Sequence, residues 1–148
     1  MSDRPRLGEQ LCYSIYSTSL AIKRLYKPLL DEMGVTYPQY LVLNVLWEHD
    51  KQTIGHIGDT LSLETSTLTP LLKRLESEGF IRRERSPEDE RKVVISLLDK
   101  GKALEAKSLC LSDTLLCSSG LALKAIQRLN QEIIALRTNI VQRAQDEQ

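Results

Sequence analysis

The chain has 148 residues, enough for one domain or for one domain with an oligomerising extension. An apolar fraction of 41% and a charged fraction of 27% are ordinary for a globular chain, and an aromatic fraction of 5% leaves the core to Leu, Ile and Val. The formal net charge is zero, so bulk charge gives no support to a nucleic-acid partner and local placement of cations has to carry any such case.

The start, MSDRPRLGEQ, is polar and lacks the apolar core of a signal peptide. The longest apolar run, near Tyr40 to Trp47, is far short of a membrane span and is interrupted by Asn44. A cytoplasmic chain without a membrane partner is expected. Three cysteines in a reducing compartment are not a disulfide framework; they are small core residues or chemically active thiols. With only His49 and His56 no cluster has zinc-ligand spacing, and neither metal nor cofactor is expected.

From Leu7 to Leu30 the pattern is helical, with Leu11, Ile15, Ile22, Leu25 and Leu29 on one stripe. Pro28 is expected to kink or finish this helix, and Gly34 follows as a stop. Thr36-Tyr37-Pro38-Gln39 opens the next helix. Thr36 is its cap, Gln39 stands three residues on as in a capping box, and Pro38 falls where its missing N–H is harmless. This helix is predicted to reach about Glu48, with Leu41, Leu43, Val45 and Leu46 buried.

Between Thr53 and Leu97 the elements become closely spaced. Ile54, Ile57 and Leu61 mark a short amphipathic helix. A tight connection through Ser62 and Leu63 leads to a second helix, Glu64 to Glu78, striped by Leu68, Leu71, Leu72 and Leu75 and ended by Gly79 as a left-handed cap. Phe80 to Arg85 reads as a strand, Ser86-Pro87-Glu88-Asp89 as a turn, and Val93, Ile95 and Leu97 alternate on a returning strand. Helix, turn, helix, hairpin is the winged helix-turn-helix order, in which the second helix enters the DNA major groove and the hairpin reaches the flanking minor groove. Residues 36–98 are the expected DNA-binding region.

Two further helical stretches follow, about Lys102 to Leu116 and Leu121 to Gln145, with Ser118-Ser119-Gly120 as a break. Ala122, Ile126, Leu129, Ile133, Leu136 and Ile140 alternate steps of four and three, a heptad-like seam. Such a stripe can lie on its own domain. Here the first and last helices extend well beyond what a compact head needs, so residues 7–30 and 102–145 are expected to build a helical homodimer interface. The fold class is therefore mainly α with a small β-hairpin: a winged helix-turn-helix domain plus terminal dimerisation helices. Two-fold symmetry would match an inverted repeat in a double-stranded operator.

The segments STLTPLLKRLESEGFIRR and PEDERKVVISLLDKGKAL resemble the MarR family of bacterial transcription regulators. The leading segment, LCYSIYSTSLAIKRLYKPLLDEMGVTYPQYLVLNVLWE, is similar more narrowly to the organic-hydroperoxide-sensing branch. The likeness covers about residues 8–105 and then rests on helical pattern and Cys117. It implies a DNA-binding repressor whose N-terminal cysteine is oxidised by organic hydroperoxides, releasing the operator.

Stepping by four and three from Cys12 reaches Tyr16, Ser19, Lys23 and Tyr26, a polar, hydroxyl-rich face beside the apolar one. Hydroxyl donors and cations favour the thiolate, the form that reacts with peroxide. Tyr26 is fourteen positions from Cys12, roughly 20 Å along one helix, so it reaches a Cys12 only across a dimer with antiparallel first helices. The resemblance implies the same: tyrosines matching Tyr26 and Tyr37 hydrogen-bond the reactive cysteine of the other subunit. It also implies a resolving cysteine in the penultimate helix. Cys117 is the match by position, with Cys110, seven residues earlier, as the alternative resolver or a core residue. Sulfenic acid at Cys12 would condense with Cys117 of the other subunit. If the reduced protein holds the pair farther apart than a disulfide allows, helix motion must accompany oxidation and would move the winged heads.

On the second helix of the motif, Thr65, Ser66, Thr67 and Thr69 make a hydroxyl-rich start, followed by Lys73 and Arg74. Short hydroxyls there suit phosphate oxygens and base edges, or merely cap the helix. Pro70 removes one backbone bond, and a local bend is expected. Arg82, Arg83 and Arg85 lie on the outgoing strand, Arg91 and Lys92 on the returning one, yet from Lys73 to Lys92 basic and acidic residues nearly cancel. Asp89-Glu90-Arg91 matches the family's wing, which implies that Arg91 enters a narrow minor groove while Asp89 orients an arginine, Arg74 or Arg91. Two other readings stay open: a MarR-type repressor governed by a small aromatic ligand, and a thiol peroxidase using Cys12. A purely structural coiled-coil dimer would leave the hairpin unexplained.

Overall fold

A computed structural model describes residues 4–148. The first residues of the polar start, Met1 to Asp3, lie outside the described residues. Those described form two compact units that divide between Leu111 and Ser112.

In the first unit a single 3-10 turn, Leu7–Glu9, precedes α1, Leu11–Met33. The helix expected over 7–30 therefore starts after a break at Gln10 and runs on to Met33. Pro28 does not finish it: Leu30 and Met33 beyond the proline are both buried, and that packing holds the last turn in place of the missing backbone bond. Gly34, at φ 74°, is the stop. The burying stripe is also rotated from the expected one. Tyr26, Leu30 and Met33 are buried, Ile22, Leu25 and Leu29 half-buried, and Leu11 and Ile15 exposed.

Helix α2, Tyr37–Glu48, opens on the expected capping box. Thr36 Oγ1 accepts from the Gln39 N–H at 3.4 Å, and Gln39 Oε1 accepts from the Thr36 N–H at 2.9 Å. Its buried side chains are Gln39, Val42, Leu43, Val45 and Leu46, whereas Leu41 is only half-buried.

The chain then makes an unforeseen strand, β1, Gln52–Thr53. Two residues are too short to show alternation. What forms the strand is a long-range contact: Asp50 Oδ1 accepts from the Leu97 N–H at 2.8 Å and seats the segment beside the hairpin. Thr53 ends β1 and caps α3, Ile54–Leu61, accepting from the His56 N–H at 3.2 Å. Ser62, at φ 55°, turns the chain into α4, Thr65–Ser77. Leu68, Leu72 and Leu75 of α4 are fully buried and Leu71 half-buried. Each such leucine contributes about 1.5–3 kcal/mol through burial. Gly79, at φ 82°, ends the helix as expected.

Strands β2, Ile81–Arg85, and β3, Val93–Leu97, pair antiparallel with Arg83 opposite Ile95. The hairpin is thus part of a three-stranded sheet ordered β1-β3-β2, with β2 on an open edge. Its tip is longer than the expected four-residue turn and runs from Ser86 to Lys92, closed by the Ser86 N–H donating to the Lys92 carbonyl at 2.8 Å. Phe80, Ile81, Ile95 and Leu97 join the leucines of α2 and α4 in the core.

Helix α5, Asp99–Ser119, begins directly after β3, earlier than Lys102. Gly101 permits this. A Cβ there would lie 2.3 Å from the Phe80 carbonyl oxygen, so the first turn of α5 rests on backbone where no other residue fits. The second unit holds the end of α5, a left-handed Gly120 and α6, Leu123–Asp146. No α6 residue is buried, and its seam residues Leu129, Ile133 and Ile140 stand in solvent. Among the described residues no single helix is long and apolar enough to cross a membrane.

Candidate nucleic-acid interface and thiol site

The N-terminal turn of α4 presents its hydroxyls outward. Thr65, Ser66 and Thr67 are exposed and Thr69 is half-buried. The cap position belongs to Glu64, which accepts through its backbone carbonyl from the N–H groups of Thr67 and Leu68, both at 3.0 Å. None of the four hydroxyls makes a hydrogen bond among the described residues, so they are not spent on capping. Pro70 stays inside a continuous α4 and leaves the Ser66 carbonyl without a helical donor on the same exposed turn.

The near-cancellation of charge between Lys73 and Lys92 resolves into pairs. Arg74 Nε lies 3.3 Å from Glu78, Arg83 Nε 3.2 Å from Glu76, and Arg82 Nε 3.0 Å from Glu84. Lys73, Arg85 and Lys92 have no ion-pair partner among the described residues, and all three are exposed. At the hairpin tip the Arg91 N–H donates to Asp89 Oδ1 at 3.1 Å, and Arg91 Nε stands 4.0 Å from the same oxygen. Asp89 is thus associated with Arg91 and not with Arg74. The Arg91 side chain is 95% exposed, so the carboxylate leaves it open to solvent.

Cys12, Cys110 and Cys117 are free, exposed thiols. Cys12 shares its side of α1 with exposed Tyr16, Ser19 and Lys23, but Tyr26, expected on that polar face, is buried. The Tyr26 ring packs 6.3 Å from that of Tyr37 at the start of α2. The row continues through Tyr40 at 6.0 Å and Trp47 at 6.1 Å. Burial, reinforced by Tyr40 and then Tyr37, pushes the Tyr26 phenol up to about 12, and burial together with Tyr40 raises Tyr37 as well. Both stay neutral donors near pH 7. Neither hydroxyl has a hydrogen-bond partner among the described residues. Lys23 Nζ lies 5.9 Å from the Tyr37 ring centroid and adds a cation to this corner. The i,i+3 spacing of Tyr37 and Tyr40 is the one sequence signal for this row. Glu76 carries no such signal, since its partner Arg83 lies across a turn where no local spacing rule applies. No group of three or more His, Cys, Asp or Glu side chains suited to a metal occurs among the described residues.

A head built of two short helices and a hairpin, with unpaired hydroxyls and cations on one helix start and on the hairpin, defines a winged-helix regulator. Residues 24–107 match the family described as Transcriptional regulator SarA/Rot. The chain is 45% identical over 136 residues to the Organic hydroperoxide resistance transcriptional regulator of Bacillus subtilis (strain 168), covering 92% of this chain and 90% of that protein. It is similar to AbfR of Staphylococcus epidermidis. The structure of reduced AbfR bound to DNA superposes with a TM-score of 0.74 at 37% identity, over 92% of this chain and 95% of that one. The structure of disulfide-formed AbfR superposes with a TM-score of 0.63 at 40% identity, over 88% and 92%. The chain belongs to the SarA/Rot family of winged-helix transcriptional regulators.

Proposed function

We propose that this regulator is a homodimeric repressor that binds an inverted repeat in double-stranded DNA and leaves it when an organic hydroperoxide oxidises Cys12. The observation that carries the reading is the Tyr26–Tyr37 pair, two neutral phenols with ring centroids 6.3 Å apart whose hydroxyls find no partner among the described residues. Cys12 sits at the other end of α1, too far along the helix to be that partner. Cys12 of the partner subunit fits, with the first helices antiparallel. The exposed Leu11 and Ile15 of α1, and the exposed seam of α6, supply apolar surface for pairing over residues 7–30 and 102–145. The names of the relatives support both halves: one is an organic hydroperoxide resistance regulator, and another was captured on DNA when reduced and also in a disulfide form.

The chemistry is a two-electron oxidation. The Cys12 thiolate attacks the distal oxygen of the hydroperoxide, the O–O bond breaks, and the alkoxide leaves as alcohol after taking a proton. The resulting sulfenic acid is attacked at sulfur by the Cys117 thiolate of the partner subunit, which forms the disulfide as the S–O bond breaks and hydroxide leaves, becoming water on taking a proton. Tyr26 and Tyr37 stabilise the reacting thiolate by donating to it. Thr65, Ser66, Thr67, Thr69, Lys73 and Arg74 read the major groove side, and Arg85, Arg91 and Lys92, with Asp89 aiming Arg91, reach the flank. A gel shift with the promoter fragment tests the whole sequence of events. The complex is expected to dissociate with an organic hydroperoxide and re-form with a thiol reductant. Dissociation that persists in Cys12→Ser would sink the thiol switch.

A second reading has one observation in its favour. A cavity of about 310 Å³ is lined by Pro38, Leu63, Thr67, Pro70, Leu71 and Arg74, apolar walls with a guanidinium beside α4. It suits a small aromatic acid controlling the same head. Operator release by such an acid from Cys12→Ser protein would favour it.

A further inference from the structure

We propose that Glu76 is a positioning residue for DNA recognition, locking the hairpin to α4 so that both address the duplex as one rigid body. The inference rests on the DNA-binding reading above and deepens it.

Strand β2 lies at an edge of the sheet. The Ser86 N–H donates inward to Lys92, and the Phe80 carbonyl accepts from Leu98 across the same pair of strands. Even-numbered positions of β2 therefore bond to β3, and the N–H groups of Ile81, Arg83 and Arg85 point to the open edge. The Glu76 carboxylate, on the last turns of α4, fills that edge at one place. Its Oε2 accepts from the Arg83 backbone N–H at 3.0 Å and its Oε1 from Arg83 Nε at 3.2 Å. Both side chains are about one-third exposed, at 37% for Glu76 and 27% for Arg83, so water screens this pair less than the pairs on the helix surfaces.

The geometry has a mechanical consequence. Between α4 and β2 the N–H groups of left-handed Gly79 and of Phe80 donate back to the Glu76 and Leu75 carbonyls, both at 3.0 Å, which closes the helix end and leaves the roll of the strand to side-chain contacts. A bidentate grip on both the backbone and the side chain of Arg83 fixes the strand's distance and roll against the helix. Thr65 to Thr69 stand at the end of α4 away from Glu76, and Arg91 stands at the hairpin tip. Their spacing on DNA then depends on a carboxylate that touches no DNA. Arg83 is correspondingly removed from phosphate contact, in contrast with Arg85.

The test uses full-length dimer and a duplex selected from a randomised pool by the wild-type protein, with hydroxyl-radical footprinting, binding titrations and thermal melts. Glu76→Ala should weaken binding about tenfold and lose protection in the flanking minor groove while keeping the major-groove footprint. Glu76→Gln retains one acceptor for the Arg83 N–H and should recover part of the flank protection. Combined with Arg91→Ala, Glu76→Ala should add little further loss, because both remove the same contact. Flank protection unchanged in a folded Glu76→Ala protein, no recovery of it in a folded Glu76→Gln protein, or losses that simply add to those of Arg91→Ala, would overturn the clamp. Wild-type protein lacking any flank protection would instead overturn the hairpin's part in DNA binding, and the clamp with it.

Discussion

The indole N–H of Trp47 donates to the Gly101 carbonyl at 3.0 Å, across fifty-four positions of sequence. On its other side the same glycine faces the Phe80 carbonyl oxygen, 2.3 Å from where a Cβ would stand. Helix α2, the hairpin entry and the first turn of α5 therefore meet at one residue without a side chain. Gly101→Ala should cost about 2–3 kcal/mol, because the obstacle is backbone and cannot rotate away. At fixed protein concentration the melting temperature should fall by roughly 5–10 °C. A variant melting like the wild type would show that α5 can shift freely at this point.

Tyr26 ties stability to alkaline pH. Its phenol is raised from 10.0 to about 12, chiefly by burial, so the folded chain holds the proton more tightly than the unfolded chain. The tyrosine's contribution is fully present below pH 10 and is lost as pH rises toward 12. Urea unfolding across that window should show stability declining with pH in the wild type and declining less steeply in Tyr26→Phe. Near neutral pH the same variant should slow peroxide oxidation of Cys12 about tenfold, the loss of one hydrogen bond to the thiolate. Thiol-labelling kinetics measure it, and an unchanged rate would detach Tyr26 from the sensor.

The two downstream cysteines differ in their surroundings. The Cys110 thiol donates to the Lys107 carbonyl at 2.8 Å on its own helix, whereas no such bond engages Cys117 among the described residues. On non-reducing gels, peroxide-treated wild type and Cys110→Ser should run as covalent dimers and Cys117→Ser as a monomer. Equal cross-linking in Cys117→Ser would transfer the resolving role to Cys110.

Arg91 should behave as a groove-reaching cation. Arg91→Ala is expected to weaken operator binding and to lower the slope of log K against log salt by about one. Binding titrations at several salt concentrations give both quantities, and an unchanged slope would remove Arg91 from the interface.

What was legible in the sequence was local. The Thr36–Gln39 box, the left-handed Gly79 and the leucines of α4 follow from spacings of a few residues, and the fold class follows from their order. Spacing groups the Tyr26 hydroxyl with Cys12 and Lys23 on a polar face, whereas the ring packs inward. Ile22, Tyr26, Leu30 and Met33 form the stripe that turns inward, and a period read from aliphatic residues alone misses it. Strand β1 escaped because Asp50 defines it from a distance. The charge balance of the head was legible as a sum and not as pairs, since Glu76 and Arg83 meet only after the chain has turned at Gly79.

That pairing bears on how such a regulator would search a genome. Arg83 and Arg82, paired with Glu76 and Glu84, are withdrawn from the diffuse attraction that makes basic proteins cling to any duplex. A neutral chain of this kind would spend little time sliding along unrelated sequence, and few copies would be sequestered there. Occupancy of the right site would then follow the free pool closely, so a small change in subunit number or thiol state would register promptly in transcription.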